Sequence, residues 1–322
     1  MKIFAHILLF SICMPILTSC ISSLPDTREP ASGTYRVATE IRFQLATRNF
    51  LLHVPPGYSA DKPLPLVVVL HGAFSTATQT EQETGFSALA DAENFLVAYP
   101  EGIGLFGYLQ HWNAGHCCGK AADDGIDDVG FVAEVIATVQ RRLNVDAQRI
   151  YLAGMSNGGM LTHRFVAERG ELIAAAAVVC GAIGSTLEGQ PAWALSSPQQ
   201  PVSMLLIHGD ADQHVPLAGG VSPLAGRESR NYSSLDEAVN YWLEANRCST
   251  EPRRRFMRDT SIELRVWEPC QDATRVERLV LSGWEHQWPG VFFTHQLPTD
   301  NPLHAYDGTQ KIWNFFQGTT AR

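Results

Sequence analysis

Residues 154–158 read Gly-Met-Ser-Asn-Gly. They join an apolar stretch, 149–154, that reads as a strand to a stretch, 157–170, that reads as a helix stopping at Gly170. At such a crossing a serine is lifted clear of the backbone with its hydroxyl exposed. The turn is sharp and strained, so its flanking positions need the space that only glycine leaves. Ser156 is the candidate nucleophile, and the helix after it points its N-terminus at the same place.

A serine hydroxyl is a poor nucleophile at neutral pH and needs a base, itself oriented by an acid. For a nucleophile in this setting the expected chain order is serine, acid, histidine. "LLIHGDADQHVP" places Asp210 and Asp212 just past a strand. Asp212 is the expected acid, because a turn beyond the strand carries it away from the sheet, and Asp210 is expected to hold the loop by hydrogen bonds. Of His214, His286, His295 and His304, only His286 closely follows a strand. It lies in the loop "SGWEHQWPG", which can bring an imidazole over the serine. His214 is too close to Asp212 in sequence to be its partner. Negative charge developing on an attacked carbonyl needs N–H donors. The N–H of Asn157 supplies one. The loop "LHGAF" supplies the other from Ala73, with Phe74 next. His71 and Gly72 shape that loop. His71 ends a strand ahead of the serine and is not expected to act as the base.

The elements that must hold these groups are legible as periodicity. "PLVVVLHG" and "FLVAYP" are continuous apolar runs, as expected of strands buried on both faces. "RIYLAG", "LIAAAAVVCG", "VSMLLIHGD" and "RVERLVLSG" add further strands, and residues 35–58 two or three more ended by Pro-Pro-Gly. Phe131, Val135 and Val139 form one helical stripe with Val132 and Ile136 beside it, and "LDEAVNYWLEANRC" and "TQKIWNFFQG" supply other helices. Strands alternating with helices predict an α/β fold with a mostly parallel sheet covered on both faces. Residues 35–322 are expected to form a single domain. Asp127 or Asp128 is expected to cap a helix rather than catalyse. The aspartates at 123, 124, 127 and 128 lack the spacing of a calcium loop, so no metal and no cofactor are expected. His163 is read as packing or surface.

The chain has 322 residues, a formal net charge of −9, 45% apolar and 18% charged residues. This suits a globular protein with a core and does not indicate nucleic-acid binding. "RRR" at 253–255 is read as a solvated turn. Residues 1–19 combine Lys2 with an apolar stretch too short to span a membrane comfortably, and read as an export signal. The closing "LTSC" predicts a lipid anchor on Cys20 that ties the protein to the cell envelope, with a plain export signal as the alternative. Residues 20–34 read as a tether. Export implies disulfides. Cys248 and Cys270 flank a compact segment and are expected to pair. One of Cys117 and Cys118 is expected to bridge to Cys180, a bridge between the two neighbours being the alternative.

"PLVVVLHG", "WNAGHCCG", "DDVGF", "RIYLAGMSNGGM", "HGDADQHVP" and "HQWPG" together resemble the polyhydroxybutyrate depolymerase-like esterases. These are α/β-hydrolases that include bacterial LpqC-type lipoproteins and the feruloyl and acetyl-xylan esterases of carbohydrate esterase family 1. The resemblance runs over residues 41–318 and implies a secreted serine esterase with Ser156, Asp212 and His286 as its triad. It also puts Trp112 and Asn113 near the pocket. Phe74, Trp284 and Trp288 lie in loops expected around Ser156, and the segment 216–234 could overhang it. An ester is the expected partner, in soluble or oligomeric form, because the chain has no room for a second module to grip an insoluble polymer. A serine peptidase of prolyl-oligopeptidase type and a non-catalytic surface lipoprotein are the competing readings.

Overall fold

The computed structural model describes residues 21–105, 108–187, 193–224, 230–258 and 261–319. The expected export signal, residues 1–19, and Cys20 lie outside the described residues. Ten strands form one sheet: β1 (Gly33–Phe43), β2 (Ala46–Val54), β3 (Leu64–Leu70), β4 (Leu96–Pro100), β5 (Val145–Met155), β6 (Ala175–Val179), β7 (Ser203–Gly209), β8 (Arg254–Arg258), β9 (Ile262–Trp267) and β10 (Val276–Leu281). Their order is β1-β2-β4-β3-β5-β6-β7-β10-β9-β8. The six central strands, β4 to β10 in that order, run parallel, and the antiparallel pairs lie at the two margins.

Every residue of β3, β4, β6, β7 and β10 is buried. Their side chains alternate between two apolar layers. Leu66, Val68 and Leu70 join Phe131, Phe165 and Trp242 in one layer. Those partners belong to the helices α3 (Asp128–Arg142), α4 (Asn157–Arg169) and α5 (Leu235–Ala245). Val67 and Val69 join Phe86, Ile312 and Phe316 in the other layer. There the helices are α2 (Phe86–Glu93), which follows α1 (Ala77–Thr84), and α6 (Gly308–Gln317). The continuous apolar runs follow from this double cover. The whole predicted stripe of α3 is buried.

Some expectations need correction. Arg254 and Arg255 open the edge strand β8 instead of a turn; they remain exposed because an edge strand keeps one side in water. The expected tether is docked. Leu24 is buried in the core, Arg36 N–H donates to Ser22 O at 2.9 Å, and Ala60 N–H donates to Glu29 Oε1 at 2.8 Å. The Cys180 bridge does not form. Cys180 is a free, buried thiol at the end of β6, packed against Asp212 and Gly209, while Cys117 and Cys118 bond to each other. Cys248 and Cys270 pair, closing the segment between α5 and β10. Among the described residues no helix is long and apolar enough to cross a membrane.

The aspartates of the 123–128 stretch have separate duties. Asp124 pairs with Lys120 at the surface, and Asp127 caps α3 by accepting from Gly130 N–H at 2.8 Å. Asp128 is fully buried and pairs with Arg48 at 2.7 Å, while its other oxygen accepts Asn113 N–H at 2.7 Å. The Arg48 guanidinium lies 3.5 Å from the centre of the Phe131 ring. This ion pair ties β2 to α3 beneath the loop that carries Trp112. Arg48→Met should cost about 3–5 kcal/mol in urea unfolding, since it strands a buried carboxylate. Arg48→Met with Asp128→Asn should recover part of the loss.

Candidate active site

The sharp turn is real in backbone terms. Ser156 sits between β5 and α4 at φ 52° and ψ −121°, a conformation side chains rarely adopt. Its N–H is held by Val179 O at 2.8 Å. A Cβ on Gly154 would collide with the Gly158 carbonyl and the Thr162 hydroxyl. One on Gly158 would collide with the carbonyls of Leu70 and His71. Both glycines are thus required for α4 to start this close to β3 and β5.

Two loops converge on the serine. After β10, the carboxylate of Asp210 accepts from Gly283 N–H at 2.6 Å and from the Ser282 hydroxyl at 2.9 Å. Trp284 Nε1–H donates to Gln287 O at 2.9 Å, closing the loop on itself. His286 stands on that loop. Its Nε2 lies 2.8 Å from Ser156 Oγ and its Nδ1 lies 2.7 Å from Asp212 Oδ2. Asp212 follows β7, and its Oδ1 accepts the N–H groups of His214 and Val215, each at 2.9 Å. His208, in β7 itself, brings Nε2 to 3.3 Å from Asp212 Oδ2 and 2.8 Å from Val215 O. Burial works to raise the Asp212 pKa. The hydrogen bonds from His208, His286 and Val215 outweigh it and hold the carboxyl well below the usual range. Asp212 is therefore an anion beside the ring whose N–H it accepts. The neutral ring's other nitrogen then faces the hydroxyl as an acceptor. This arrangement can take a proton from Ser156 as the oxygen attacks and stabilise the imidazolium that results.

N–H donors are present at the serine. Asn157 is the first residue of α4, and its side chain is locked in both directions to Trp112, accepting from its N–H at 2.7 Å and donating to its carbonyl at 3.0 Å. Ala73 N–H has no hydrogen-bond partner among the described residues. Phe74 N–H is spent on Gln110 O at 2.8 Å and is withdrawn as a donor. The exposed Phe74 ring stands instead at the mouth of the site. His71 donates Nδ1–H to Gly72 O at 2.7 Å and accepts Gly102 N–H on Nε2 at 3.0 Å, so both nitrogens build the Ala73 loop.

Two cavities flank the Ser156–His286 pair. One of about 290 Å³ lies between α1 and the Gln287–Phe293 stretch. The other, of about 540 Å³, includes His111, Cys118, Met160, His214, Arg230 and Tyr232. Trp288 lines the smaller one. Trp112, Asn113 and Trp284 line neither. Trp112 is buried behind His71, donating Nε1–H to its carbonyl at 2.9 Å; Asn113 donates to Ile126 O at 2.8 Å; and Trp284 braces the histidine loop. Trp112 and Trp284 thus serve the loops, while Trp288 and Phe74 reach the cavity wall. His208 was missed, though its place two residues before Asp210 at the end of an apolar run marked it as near the acid. Cys180, His208 and Asp212 bring three potential metal ligands within 4.8 Å of one another. Both oxygens of Asp212 are already engaged, which leaves that trio with no free carboxylate lone pair suited to a cation.

A parallel sheet with a serine at the β5–α4 crossing, an aspartate after β7 and a histidine after β10 is an α/β-hydrolase fold. Among solved structures it is shared by acetyl xylan esterase from Aspergillus awamori, with TM-score 0.57 and 14% identity over 88% of this chain and 99% of that one. It is shared also by a ferulic acid esterase from Anaeromyces mucronatus, with TM-score 0.54 and 15% identity over 91% and 94%. The family profile described as esterase PHB depolymerase matches residues 48–211, just over half of the chain. NocK of Nocardia uniformis subsp. tsuyamanensis is 30% identical over 300 residues, spanning 88% of this chain and 84% of NocK. The chain belongs to the esterase PHB depolymerase family. Feruloyl esterase B of Piromyces equi is 27% identical over 241 residues, 74% of this chain but 42% of that protein.

Three of the buried histidines are strongly perturbed. Burial lowers the pKa of His71 to about 4, and of His116 and His163 to about 3, from an ordinary 6.5. Each stays neutral in the folded protein at a pH where the unfolded chain is protonated. Stability should therefore hold above about pH 7 and fall as pH drops through 6.5 toward 4. Near pH 5, unfolding should take up about three protons, read from the pH dependence of the urea-unfolding free energy. His163→Gln should lower that uptake by about one. A free energy that stays level from pH 7.5 to 5 would contradict the neutral burial of these rings.

Proposed function

We propose that Ser156 is the nucleophile of a carboxylic-ester hydrolase that works through an acyl-enzyme. His286 acts as base and then acid, Asp212 holds its tautomer, and the N–H groups of Asn157 and Ala73 receive the oxyanion. The observation that carries this reading is the continuous Asp212–His286–Ser156 chain at 2.7 and 2.8 Å. The conformation of Ser156 supports it, because such strain persists where function needs the side chain presented. Membership of an esterase family favours ester over peptide turnover. The substrate is a soluble or oligomeric ester with modest arms, which suits two cavities of about 290 and 540 Å³. A second reading, feruloyl or acetyl-xylan esterase, is favoured by the names of relatives and structural neighbours.

Incubation with a fluorophosphonate should label Ser156, located by mass spectrometry. Ser156→Ala or His286→Ala should lower kcat on p-nitrophenyl butyrate by about 10³-fold or more. Labelling at another residue of active protein would remove Ser156 from the mechanism. Comparison of acetyl, butyryl, feruloyl and 3-hydroxybutyrate-oligomer esters separates the two substrate readings.

We propose further that residues 1–19 direct export, that Cys20 carries a lipid, and that residues 35–322 form the catalytic domain. "LTSC" after a short apolar stretch supports the anchor. Full-length protein should fractionate with membranes, and Cys20→Ala should release it. Soluble, unlipidated wild-type protein would leave a plain export signal.

A further inference from the structure

The smaller cavity has two unlike walls. Trp288 and Phe293 form an aromatic side, and Gln79, Thr80, Glu83 and Thr84 of α1 form a polar side. Most of that polar wall is occupied. Thr80 Oγ1–H donates to Thr76 O at 3.0 Å and Thr84 Oγ1–H to Thr80 O at 2.7 Å. Trp288 Nε1–H donates to Thr309 Oγ1 at 2.8 Å. Gln79 Oε1 accepts the hydroxyls of Ser75 at 3.4 Å and Thr76 at 3.3 Å, and its Nε2 has no hydrogen-bond partner among the described residues. Glu83 is half-buried and has no hydrogen-bond or ion-pair partner among the described residues. Gln79 and Glu83 are four residues apart on one helix and so neighbour each other on one face.

Resting on the reading of Ser156 as the ester-cleaving nucleophile, we infer that Gln79 and Glu83 form a subsite for a hydroxyl group on the arm of the ester that enters this cavity. A hydroxyl is donor and acceptor at once, so it can donate to the Glu83 carboxyl and accept from Gln79 Nε2. An ammonium has no lone pair for the Gln79 amide, and a carboxylate has no proton for Glu83. The pair therefore selects a neutral hydroxylated arm and disfavours an anionic one. Burial raises the pKa of Glu83, in keeping with a carboxyl that has lost water on the cavity side without gaining a cation. The carbon skeleton of the same arm rests against Trp288 and Phe293, which accounts for an aromatic wall facing a polar one.

The test compares matched esters: p-nitrophenyl butyrate with p-nitrophenyl 3-hydroxybutyrate for the acyl arm, and ethyl with 2-hydroxyethyl butyrate for the alcohol arm. In one of the two pairs the hydroxylated ester should show about tenfold higher kcat/KM, the size expected for hydrogen bonds to a carboxyl in a partly open cavity. Glu83→Leu should bring that ratio to within about twofold of one. Glu83→Gln should keep most of it, since an amide oxygen still accepts. A binding readout that needs no turnover accompanies this: affinities of the same esters for Ser156→Ala, measured by ligand-observed NMR, should show the same preference and lose it in Ser156→Ala/Glu83→Leu. Equal affinity of both members of both pairs would overturn the subsite. A preference that survives in the Glu83→Leu background would overturn it too. A binding preference that disappears only with Glu83, in a protein that turns over no ester, would uphold the subsite and remove the esterase reading instead.

Discussion

The left-handed backbone of Ser156 is the constraint around which the rest is arranged. A side chain at positive φ and extended ψ is costly, so it must be over-determined by its surroundings. Here the fixing contacts come from three directions. Val179 O, at the end of β6, takes the Ser156 N–H. The carbonyls of Leu70 and His71, at the end of β3, press against the first turn of α4. The Asn157 side chain grips the Trp112 backbone. Two glycines make the approach possible, and the buried strand ends Ile150–Gly154 and Ala175–Val179 pack it tightly.

The electrostatics are arranged in layers behind that turn. An anionic Asp212 is kept charged in a buried place by four hydrogen-bond donors: two backbone N–H groups and the rings of His208 and His286. The cost of desolvating the carboxylate is offset by these donors, so its charge remains available to the imidazole between it and Ser156. Deeper in, Arg48 and Asp128 neutralise each other beneath the Trp112 loop. His71 supports the facing loop as a neutral ring whose two nitrogens are both engaged. The charge beside the His286 ring is thus that of Asp212, held by fixed donors.

The two cavities give the Ser156–His286 pair different surfaces on its two sides. The smaller is set by a helix face against aromatic rings. The larger is bounded by Cys118 and Gly119, by Ser222 and Leu224, and by Arg230 and Tyr232 of the small strand Arg230–Tyr232, which pairs with Ser185–Leu187 outside the main sheet. Variation in these covering segments can change which ester fits without disturbing the strand ends that carry the serine, the aspartate and the histidine.

The sequence by itself determined what is local or follows chain order. The apolar runs disclosed the double-covered parallel strands. The stripe of Phe131, Val135 and Val139 disclosed α3, and the glycines at 154 and 158 disclosed the turn at Ser156. The positions of Asp212 and His286 just beyond strand ends singled them out from other carboxylates and histidines. The edge hairpin β8–β9 was hidden because its alternation is weak and its arginines read as solvent-facing in any conformation. The remaining decisions belonged to the tertiary structure. Whether Trp112 walls a pocket or braces a backbone, whether Phe74 N–H is free, and whether Cys180 meets another cysteine depend on how loops from distant parts of the chain stack above the sheet. Residue type and spacing do not encode those contacts, because each one is set by the packing of segments separated by tens of residues.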